Sequence, residues 1–555
     1  MDRPPGGVKR ADRGGLAAQG EVHDRQQVEL RFNYPVGAAG RWRFDADTFF
    51  FVPRNVGLHR GNYSREQFYL DFTAYMRIDA RALALPDLAD ATNPRSPLFP
   101  MNEALRRLRA GERVPTRPVQ VQARLYANLF VTAMKGELRR WEKRLLRRAK
   151  APAPKRGTSL VPPRASQLPE GPLDADGALE AALVEALARI RTGLRQYREV
   201  RGGWWPFEQL CHHAVPTAMR ASDEYMSLAL EDRLADLARL VGGVRDGTGF
   251  AARVQLHARA LASEEAVYRR RYGYLALDGA SLVEGQGAAP QRRGAPAGEY
   301  FTYRMSALKK TVQQALYLDL RGSRADTFVR NAVAATGAAL ASIWALATQV
   351  PTQIAGLPAQ TRLVLFSAAV LAYVLKDRIK SLTGEFLLRR ARVFDHSSVV
   401  HGETLGEMGL GAMSARTAEA VRFLEPEALP ADIRARRTAD EPRRVGPALE
   451  EVIHYRKRLE VDVDGARGIP EGYRIRDILR MNVRHFLLRL DDPTDRVTFY
   501  DVARGWFAEA EMPRVYHVHV VTRVRQSGPD GAVVEHFAHL RLILNKDGIV
   551  RAEGL

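Results

Sequence analysis

Three histidines near the C-terminal end are the residues best suited to metal chemistry in this sequence. His517 and His519 lie in YHVHVVTRV, and His539 lies in HFAHLRL. Both stretches alternate apolar and polar residues, which predicts β-strands. If these strands pair with Gln526 opposite Ala532, the three imidazoles share one sheet face, and two of them lie directly opposite each other. Such a face could bind zinc or another transition metal, with water as a further ligand.

The same alternation also fits an ordinary polar sheet face, because arginines stand among these histidines and repel metal cations. In the predicted register Arg523 lies opposite Glu535, which is a favourable cross-strand ion pair. We therefore expect a largely antiparallel C-terminal sheet, with a membrane-bound metal-dependent enzyme as an alternative function. In the same register the opposite face of the sheet is apolar and contains Tyr516, Val518, Val520, Val524, Val534, Leu540, Leu542 and Leu544.

Cys211 is the only cysteine, and it is followed by His212 and His213. A thiol nucleophile needs a base whose side chain reaches it, and adjacent residues do not provide that geometry by default. A single cysteine is more commonly a small buried apolar residue. The sequence also has no Walker-type P-loop, GxSxG elbow, HExxH motif or kinase signature. No cofactor is therefore predicted, and no catalytic residue is assigned.

The charge balance and the single cysteine limit the classes of function. The 555-residue chain has 84 Lys and Arg against 64 Asp and Glu, a formal charge of +20, and 46% hydrophobic residues. It is long enough for several domains. A basic balance suits anionic lipid, nucleic acid or an acidic partner. One cysteine allows no intramolecular disulfide, which fits a reducing compartment, and the N-terminus lacks the apolar run of a secretory signal.

Two apolar runs in the centre of the chain predict a transmembrane helical hairpin. Residues 331–350 carry no ionisable side chain, and a helix of that length spans about 30 Å, the thickness of a bilayer's hydrocarbon core. A second run at 363–375 becomes a span over 359–376 if Arg362 and Lys376 extend to the interface. Basic residues flank the pair, so both termini are expected in the cytoplasm. The alternative is a buried helical hairpin inside a soluble domain.

Cations on predicted helices around this hairpin are the expected membrane-surface contacts. A long amphipathic helix over 119–150 ends in a cluster of cations, and a basic helix, YRMSALKKTVQQALYLDL, precedes the first span. Each Lys or Arg near an anionic bilayer contributes about 1 kcal/mol. A solvated helix face is the alternative for the first cluster. The cations expected at lipid headgroups are Arg139, Arg140, Lys143, Arg144, Arg147, Arg148, Lys309, Lys310, Lys376, Arg378 and Lys380.

Shorter patterns predict individual elements. VELRFNYPV and RWRFDADTFFFVP predict a β-hairpin joined by GAAG. SREQFYLDFTAYMRID predicts one helix, capped by Ser64, with Gln67 at the spacing of a capping box. A further helix is expected over 217–241, with Ser222 as its N-cap and two acidic residues directly after it.

Changes in composition divide the chain into segments. Proline-rich and glycine-rich stretches mark linkers, and the period-two pattern begins only near the C-terminal end. The expected segments are a disordered tail (1–25), a mixed β-hairpin and helical region (26–150), a Pro-rich linker (151–177), a helical region (178–275), a flexible linker (276–298), interfacial helices with the transmembrane hairpin (299–395), a connecting region (396–447) and an α+β domain (448–555).

The order of these segments resembles an uncharacterised family of bacterial hypothetical membrane proteins with a central transmembrane helical hairpin. The stretches that carry the resemblance are NYP, FFFVPRNVGL, LKKTVQQALYLDLR, YVLKDRIKSL and HVHVVTRVR. The resemblance extends over most of the chain. It implies a membrane anchor, and it supplies no activity, cofactor or catalytic residue.

Together these observations predict a multi-domain α+β membrane protein of the bacterial inner membrane, with cytoplasmic termini. It would have a mostly helical N-terminal region with a β-hairpin, a two-helix transmembrane hairpin and a C-terminal antiparallel-sheet α+β domain. The expected function is a non-enzymatic membrane-tethered scaffold or sensor, whose partners are the lipid bilayer, a cytoplasmic protein and another copy of itself. Nucleic acid is not an expected partner, and a soluble basic nucleic-acid-binding protein is the remaining alternative.

Overall fold

The computed structural model describes an α+β protein. Its described residues are 16–37, 39–79, 83–148, 177–211, 213–243, 249–276, 297–318, 320–322, 334–344, 364, 367, 394–400, 413–438, 450–463 and 474–555.

Strands lie mainly towards the two ends of the described chain. They are β1 (Ala17–Val22), β2 (Gln27–Pro35), β3 (Gly40–Pro53), β4 (Phe72–Asp79), β5 (Leu320–Gly322), β6 (His396–Val400), β7 (Met413–Leu424), β8 (Glu450–Val463), β9 (Arg474–Asn482), β10 (Thr494–Asp501), β11 (Trp506–Pro513), β12 (Tyr516–Ser527), β13 (Val533–Asn545) and β14 (Gly548–Gly554).

The longer helices occupy the part of the chain between β4 and β5. The helices are α1 (Arg65–Asp71), α2 (Leu85–Ala89), α3 (Leu98–Arg109), α4 (Thr116–Arg148), α5 (Ala178–Trp204), α6 (Ala214–Gly242), α7 (Phe250–Tyr272), α8 (Ala297–Gln313), α9 (Ala431–Thr438) and α10 (Arg484–Leu487), and residues 334–344 form a further helical segment.

The sheets join distant parts of the chain through antiparallel pairing. The larger sheet has the order β14-β13-β12-β3-β8-β7-β6-β5, and the smaller has the order β1-β2-β9-β4. β3 therefore lies between β12 and β8, and β9 lies between β2 and β4. A separate hairpin consists of β10 and β11 alone. The expected domain boundaries stay predictions, because strand pairing does not by itself delimit units that fold independently.

The hydrophobic core lies between the two larger sheets and continues under the helices. Phe44 and Phe50 of β3 point into it and are fully buried. Tyr34 of β2 lies 4.8 Å from Phe44 between ring centroids, so the two sheets are in direct contact. Burying each such side chain stabilises the fold by about 1.5–3 kcal/mol relative to leaving it exposed. The alternate residues of β3, including Asp45 and Asp47, belong to the outer face of the larger sheet.

A buried lysine connects the two sheets. Lys457 of β8 is almost fully buried, and its Nζ lies 2.9 Å from Asp477 Oδ1 and 3.1 Å from Glu419 Oε1. Burial lowers the pKa of Lys457, but the two carboxylates outweigh that effect and raise it. Burial raises the pKa of Asp477, and Lys457 opposes the rise. The group therefore links β7, β8 and β9 inside the core.

The helices pack closely enough to require glycine at one contact. A Cβ added to Gly193 of α5 would lie 3.0 Å from Phe130 Cε2 of α4. The Tyr126 hydroxyl of α4 donates to the Gly193 carbonyl oxygen at 2.8 Å. Trp141, also on α4, donates from Nε1 to the Leu179 carbonyl oxygen at 2.7 Å. These contacts fix α4 against α5.

Two sequence predictions near the N-terminus are wrong in part. β2 and β3 are strands, but they pair with β9 and β8 in different sheets and form no hairpin with each other. Ser64 does cap a helix, since its Oγ accepts from the Gln67 amide at 3.2 Å. That helix ends at Asp71, and the chain continues as β4. The reason is that Met76 and Ile78 alternate with polar residues and are buried beside β9.

The expected N-cap at Ser222 is also wrong. α6 begins at Ala214, so Ser222 and Asp223 lie within the helix and are fully buried. The apolar face extends further towards the N-terminus than the sequence pattern suggested, because Val215 is part of the core. The acidic residue therefore does not stabilise a helix end.

The expected transmembrane hairpin is wrong. Within the part of the chain that the structure describes, no helix has both the length and the apolar character needed to cross a membrane. In the first run, the described helix covers 334–344, about 16 Å at 1.5 Å per residue. The rest of that run and, apart from Val364 and Ser367, the second span lie outside the described residues. The inner-membrane location with cytoplasmic termini depends on these spans, so it is corrected with them.

Candidate anion-binding site on helices α4 and α8

Helix α4 buries its apolar side and is attached to α8 by a hydrogen bond. Asn128 donates from Nδ2 to the carbonyl oxygen of Val312 at 2.8 Å, which attaches α4 to α8. Lys309 lies one helical turn before Val312, so its position follows from the same contact. The residues predicted to line the apolar side of α4 are all buried, namely Leu125, Leu129, Met134, Leu138, Trp141 and Leu145.

Lys135 of α4 lies among cations that three helices contribute. Arg139 of α4, Arg233 of α6 and Lys309 of α8 all act electrostatically on its ammonium group. Burial lowers the pKa of Lys135, and these three cations lower it further, while Asp232 opposes them. Like charges held together at a half-buried position cost free energy unless an anion lies among them. Asp232 supplies part of the opposing charge, and the remaining excess of cations is suited to a negatively charged ligand.

The cations of this group differ in whether a carboxylate already neutralises them. Arg233 is paired with Glu142, with 2.6 Å between Nη2 and Oε1. Among the described residues, no carboxylate forms an ion pair with Lys135, Arg139 or Lys309. These three residues are called the basic cluster below.

Only some of the cations expected at lipid headgroups can be placed. Arg140 is exposed and pairs with Glu137 at 2.6 Å. The side chain of Arg148 lies outside the described part of the chain, as do Lys376, Arg378 and Lys380. A contact of any of these cations with lipid stays a prediction. The remaining predicted cations are exposed on α4 and α8, namely Arg139, Lys143, Arg144, Arg147, Lys309 and Lys310.

Lys135, on which the other two cations of the cluster act, was not among the residues predicted from the sequence. A signal was present in TAMKGELRR, because Lys135 and Arg139 are four residues apart and therefore neighbours on one helix face. A like-charged pair at that spacing is unfavourable in an isolated helix. Such a pair indicates either a nearby carboxylate or an anionic ligand.

The histidine face of the C-terminal sheet is present, with a register shifted by two residues. Gln526 of β12 lies opposite Val534 instead of its predicted partner. Glu535 therefore lies opposite Arg525 and not opposite Arg523. A shift of two residues leaves every side chain on its predicted face.

Two of the three histidines are in direct contact. His519 Nδ1 and His539 Nε2 are 3.0 Å apart, so a hydrogen bond engages one nitrogen of each ring. Arg541 lies directly opposite His519 on the neighbouring strand. In the described ranges, no group of three or more His, Cys, Asp and Glu side chains is arranged to hold a metal ion. Metal binding by His517, His519 and His539 stays a prediction.

Asp47 on the outer face of the larger sheet shows the opposite arrangement, an anion surrounded by cations. Its carboxylate accepts from His454 Nε2 at 2.9 Å, Arg523 Nη2 at 3.2 Å and Arg525 Nη2 at 3.3 Å. Burial would raise the pKa of Asp47, but the hydrogen bond from His454 and these positive charges lower it to about 2. Because carboxylates already balance these cations, the group holds β3, β8 and β12 together.

The buried acids of α6 form a second balanced network. Asp223 accepts from Arg198 Nε at 2.9 Å, the Tyr268 hydroxyl at 2.7 Å and the Tyr274 hydroxyl at 3.0 Å. Arg198 also donates from Nη2 to Glu265 Oε2 at 2.7 Å. Burial and the nearby Asp223 carboxylate raise the pKa of both tyrosines. The network connects α5, α6 and α7.

Cys211 does not have the environment of a thiol nucleophile. It is almost fully buried, and burial raises the pKa of its thiol. His212 lies outside the described residues, and His213 Nδ1 lies 3.1 Å from Glu208 Oε1. A raised pKa leaves less thiolate at neutral pH.

No family model, curated protein or solved structure matches the chain. The resemblance to a family of bacterial membrane proteins with a transmembrane hairpin is therefore wrong, since neither a family match nor a membrane-spanning helix among the described residues supports it.

Proposed function

We propose that this protein is a non-enzymatic scaffold that binds anionic phospholipid surfaces through the basic cluster of α4 and α8. The observation that carries the proposal is the half-buried Lys135, on whose ammonium group Arg139, Arg233 and Lys309 act against Asp232, while no carboxylate among the described residues forms an ion pair with the basic cluster. Contact through exposed cations needs no spanning helix. Phosphate groups of lipid headgroups would add to the negative charge that Asp232 supplies.

Exposed apolar side chains favour a lipid surface over a nucleic acid. The helical segment 334–344 follows α8 in the chain, carries no charged side chain and exposes Leu340 and Ile343. Tyr303 of α8 is also exposed. Protein surfaces that bind nucleic acid are polar, whereas the headgroup region of a bilayer accepts apolar and tyrosine side chains beside cations.

The expected contribution of the cluster follows from its charge. At about 1 kcal/mol for each cation near an anionic surface, three cations contribute about 3 kcal/mol. That free energy corresponds to a change in affinity of roughly 150-fold. Because the attraction is electrostatic, it should weaken as the salt concentration rises.

The test is co-sedimentation with vesicles of phosphatidylcholine alone and with one third phosphatidylglycerol. The triple variant Lys135→Gln, Arg139→Gln, Lys309→Gln should lose roughly 100-fold in affinity for the anionic vesicles. The control is Arg259→Gln, Arg270→Gln, Arg271→Gln, which removes the same charge from exposed positions of α7 and should bind nearly as the natural sequence does.

Three results would contradict the proposal. If the control loses as much affinity as the cluster variant, net charge binds the vesicles and the cluster has no special role. If the natural sequence does not bind anionic vesicles, the lipid partner is wrong. If it binds duplex DNA tightly and the cluster variant does not, while vesicles are not bound, the cluster recognises nucleic acid.

A further inference from the structure

The hairpin of β10 and β11 has two chemically different faces. Residues directly opposite each other in an antiparallel pair share a face, and the observed register pairs Phe499 with Ala508 and Thr498 with Glu509. The face that contains Thr498, called the polar face below, also carries Arg496, Glu509 and Glu511, with the exposed rings of Tyr500 and Phe507 beside the turn. The face that contains Phe499, called the apolar hairpin face below, has Asp495 and Asp501 at its two ends and is otherwise apolar, with Val497, Phe499, Trp506, Ala508, Ala510 and Met512.

This face is exposed although the hairpin itself is well formed. Gly505, with a φ of +62°, closes the turn, and its amide donates to the Asp501 carbonyl oxygen at 2.9 Å. The exposed fractions are 41% for Phe499 and 72% for Trp506. A two-stranded hairpin is marginally stable in water unless its apolar face packs against something. Exposed apolar patches of this kind mark interaction sites.

The charges of the face argue against an anionic partner. Its only ionisable residues are two carboxylates, Asp495 and Asp501, and it has no basic side chain. Asp495 is paired with Arg514, and Asp501 Oδ2 lies 3.4 Å from Arg504 Nε. The face therefore offers no cation to the phosphate groups of lipid headgroups or nucleic acids, whereas an apolar protein surface needs none.

The shape of the face is complementary to itself. At its centre it has the bulky Val497 and Phe499 along β10 and the small Ala508 and Ala510 along β11, while Trp506 and Met512 of β11 lie at its two ends. When two such faces meet with β10 over β11, Val497 and Phe499 of each copy fit into the space above the two alanines of the other copy. With β10 over β10, the bulky side chains of the two copies would lie against each other. A two-fold axis parallel to the strands produces the first arrangement, and each copy then presents the same patch.

We propose that the apolar hairpin face is the docking site for a second copy of this chain, with β10 of each copy over β11 of the other. In this arrangement Phe499 lies over Ala508 of the second copy. The Trp506 indole N–H of one copy comes close to the Asp501 carboxylate of the other, which can accept its hydrogen bond.

The area of the face sets the strength of this contact. Eight residues per strand at about 3.4 Å and a width of roughly 10 Å give about 270 Å² on each copy. A stable interface buries about 1,200 Å² or more in total. The hairpins alone therefore form a weak dimer, which should appear only as the protein concentration rises into roughly the 10–100 μM range.

Disulfide trapping tests both the contact and its orientation. Cys211 is replaced by alanine, and the separately prepared variants Phe499→Cys and Ala508→Cys are mixed and oxidised without lipid. The mixture should form a disulfide-linked dimer at least ~10-fold faster than either variant alone, because only the mixture places a thiol over a thiol. The control mixture, Thr498→Cys with Glu509→Cys, carries its thiols on the polar face and should not be linked.

Sedimentation velocity gives a second measurement. The natural sequence and Thr498→Glu should form dimers as their concentration rises, and Phe499→Glu should stay monomeric. The proposal is overturned if the natural sequence stays monomeric throughout, or if the control mixture is linked as fast as the Phe499→Cys and Ala508→Cys mixture. Because no vesicles are present, this outcome is independent of the lipid-binding proposal.

Discussion

Replacing Asp47 with asparagine should weaken the larger sheet by a predictable amount. The pKa of the Asp47 carboxyl falls from its usual 3.8 to about 2 in the folded protein. At 1.36 kcal/mol for each pKa unit, this difference corresponds to about 2 kcal/mol of stability at neutral pH. The side chain is only 4% exposed, so water screens these charges little. Asp47→Asn removes that contribution and leaves the surrounding cations unbalanced.

The pH dependence of the effect has a definite sign. Because folding lowers the pKa of Asp47, its contribution is complete above about pH 4 and is lost as the pH falls through about 2. The difference between the natural sequence and Asp47→Asn should therefore be about 2 kcal/mol at neutral pH and roughly half of that near pH 3. A group with a raised pKa would show the reverse trend.

Hydrogen exchange measured by mass spectrometry along a urea titration is the suitable assay. Peptides from β3, β8 and β12 report the unfolding free energy of the sheet itself, which a single global transition of a long chain does not. Asp462→Asn is the control, because Asp462 is an exposed carboxylate on the same face of β8. A deficit below about 0.5 kcal/mol for Asp47→Asn, or one that stays constant down to about pH 3, would refute the reasoning.

Two further predictions concern buried groups. Lys457→Met should lower the unfolding free energy of the same sheet by about 3–5 kcal/mol, because it leaves the buried Asp477 and the half-buried Glu419 without their cation. The double variant Lys457→Met, Asp477→Leu should recover much of this loss, and a single variant as stable as the natural sequence would contradict the role of the lysine. Cys211 should react with iodoacetamide at least ~10-fold more slowly in the folded protein than in concentrated urea, because burial raises the pKa of its thiol. Equal rates, followed by mass spectrometry, would show that the thiol is as accessible in the folded protein as in the unfolded chain, and would contradict its burial.

Elements were more predictable from the sequence than their partners. The periods of α4, β12 and β13 placed the correct residues in the core apart from Val534, which is exposed near the end of β13, because burial of one face depends mainly on spacing along the element. The pairing of β3 with β8 and β12 depends on segments hundreds of residues away, and no local pattern encodes it. The register error at Gln526 has a similar origin, since the turn at Gly531 sets the alignment and the alternation fits two alignments equally well.

Only part of the candidate site could be predicted from the sequence. Arg139 and Lys309 were recognisable as cations on amphipathic helices, and both are exposed there. That they meet around Lys135 follows from the packing of α4 against α8, which depends on contacts such as the one between Asn128 and Val312. Sequence periodicity shows which side of a helix is polar, but not which helix lies beside it.

The position of β3 between two late strands has a consequence for synthesis on the ribosome. Roughly 400 residues separate Pro53 from Glu450, and at about 5–20 residues per second the nascent chain waits roughly 20–80 s for β8. During that time the aromatic run Phe49–Phe51 has neither neighbour strand, and unpaired strands of this kind aggregate. The helices from α4 to α7 make contacts within their own part of the chain and can fold meanwhile. We therefore expect the N-terminal strands to be held by a chaperone until the last hundred residues emerge.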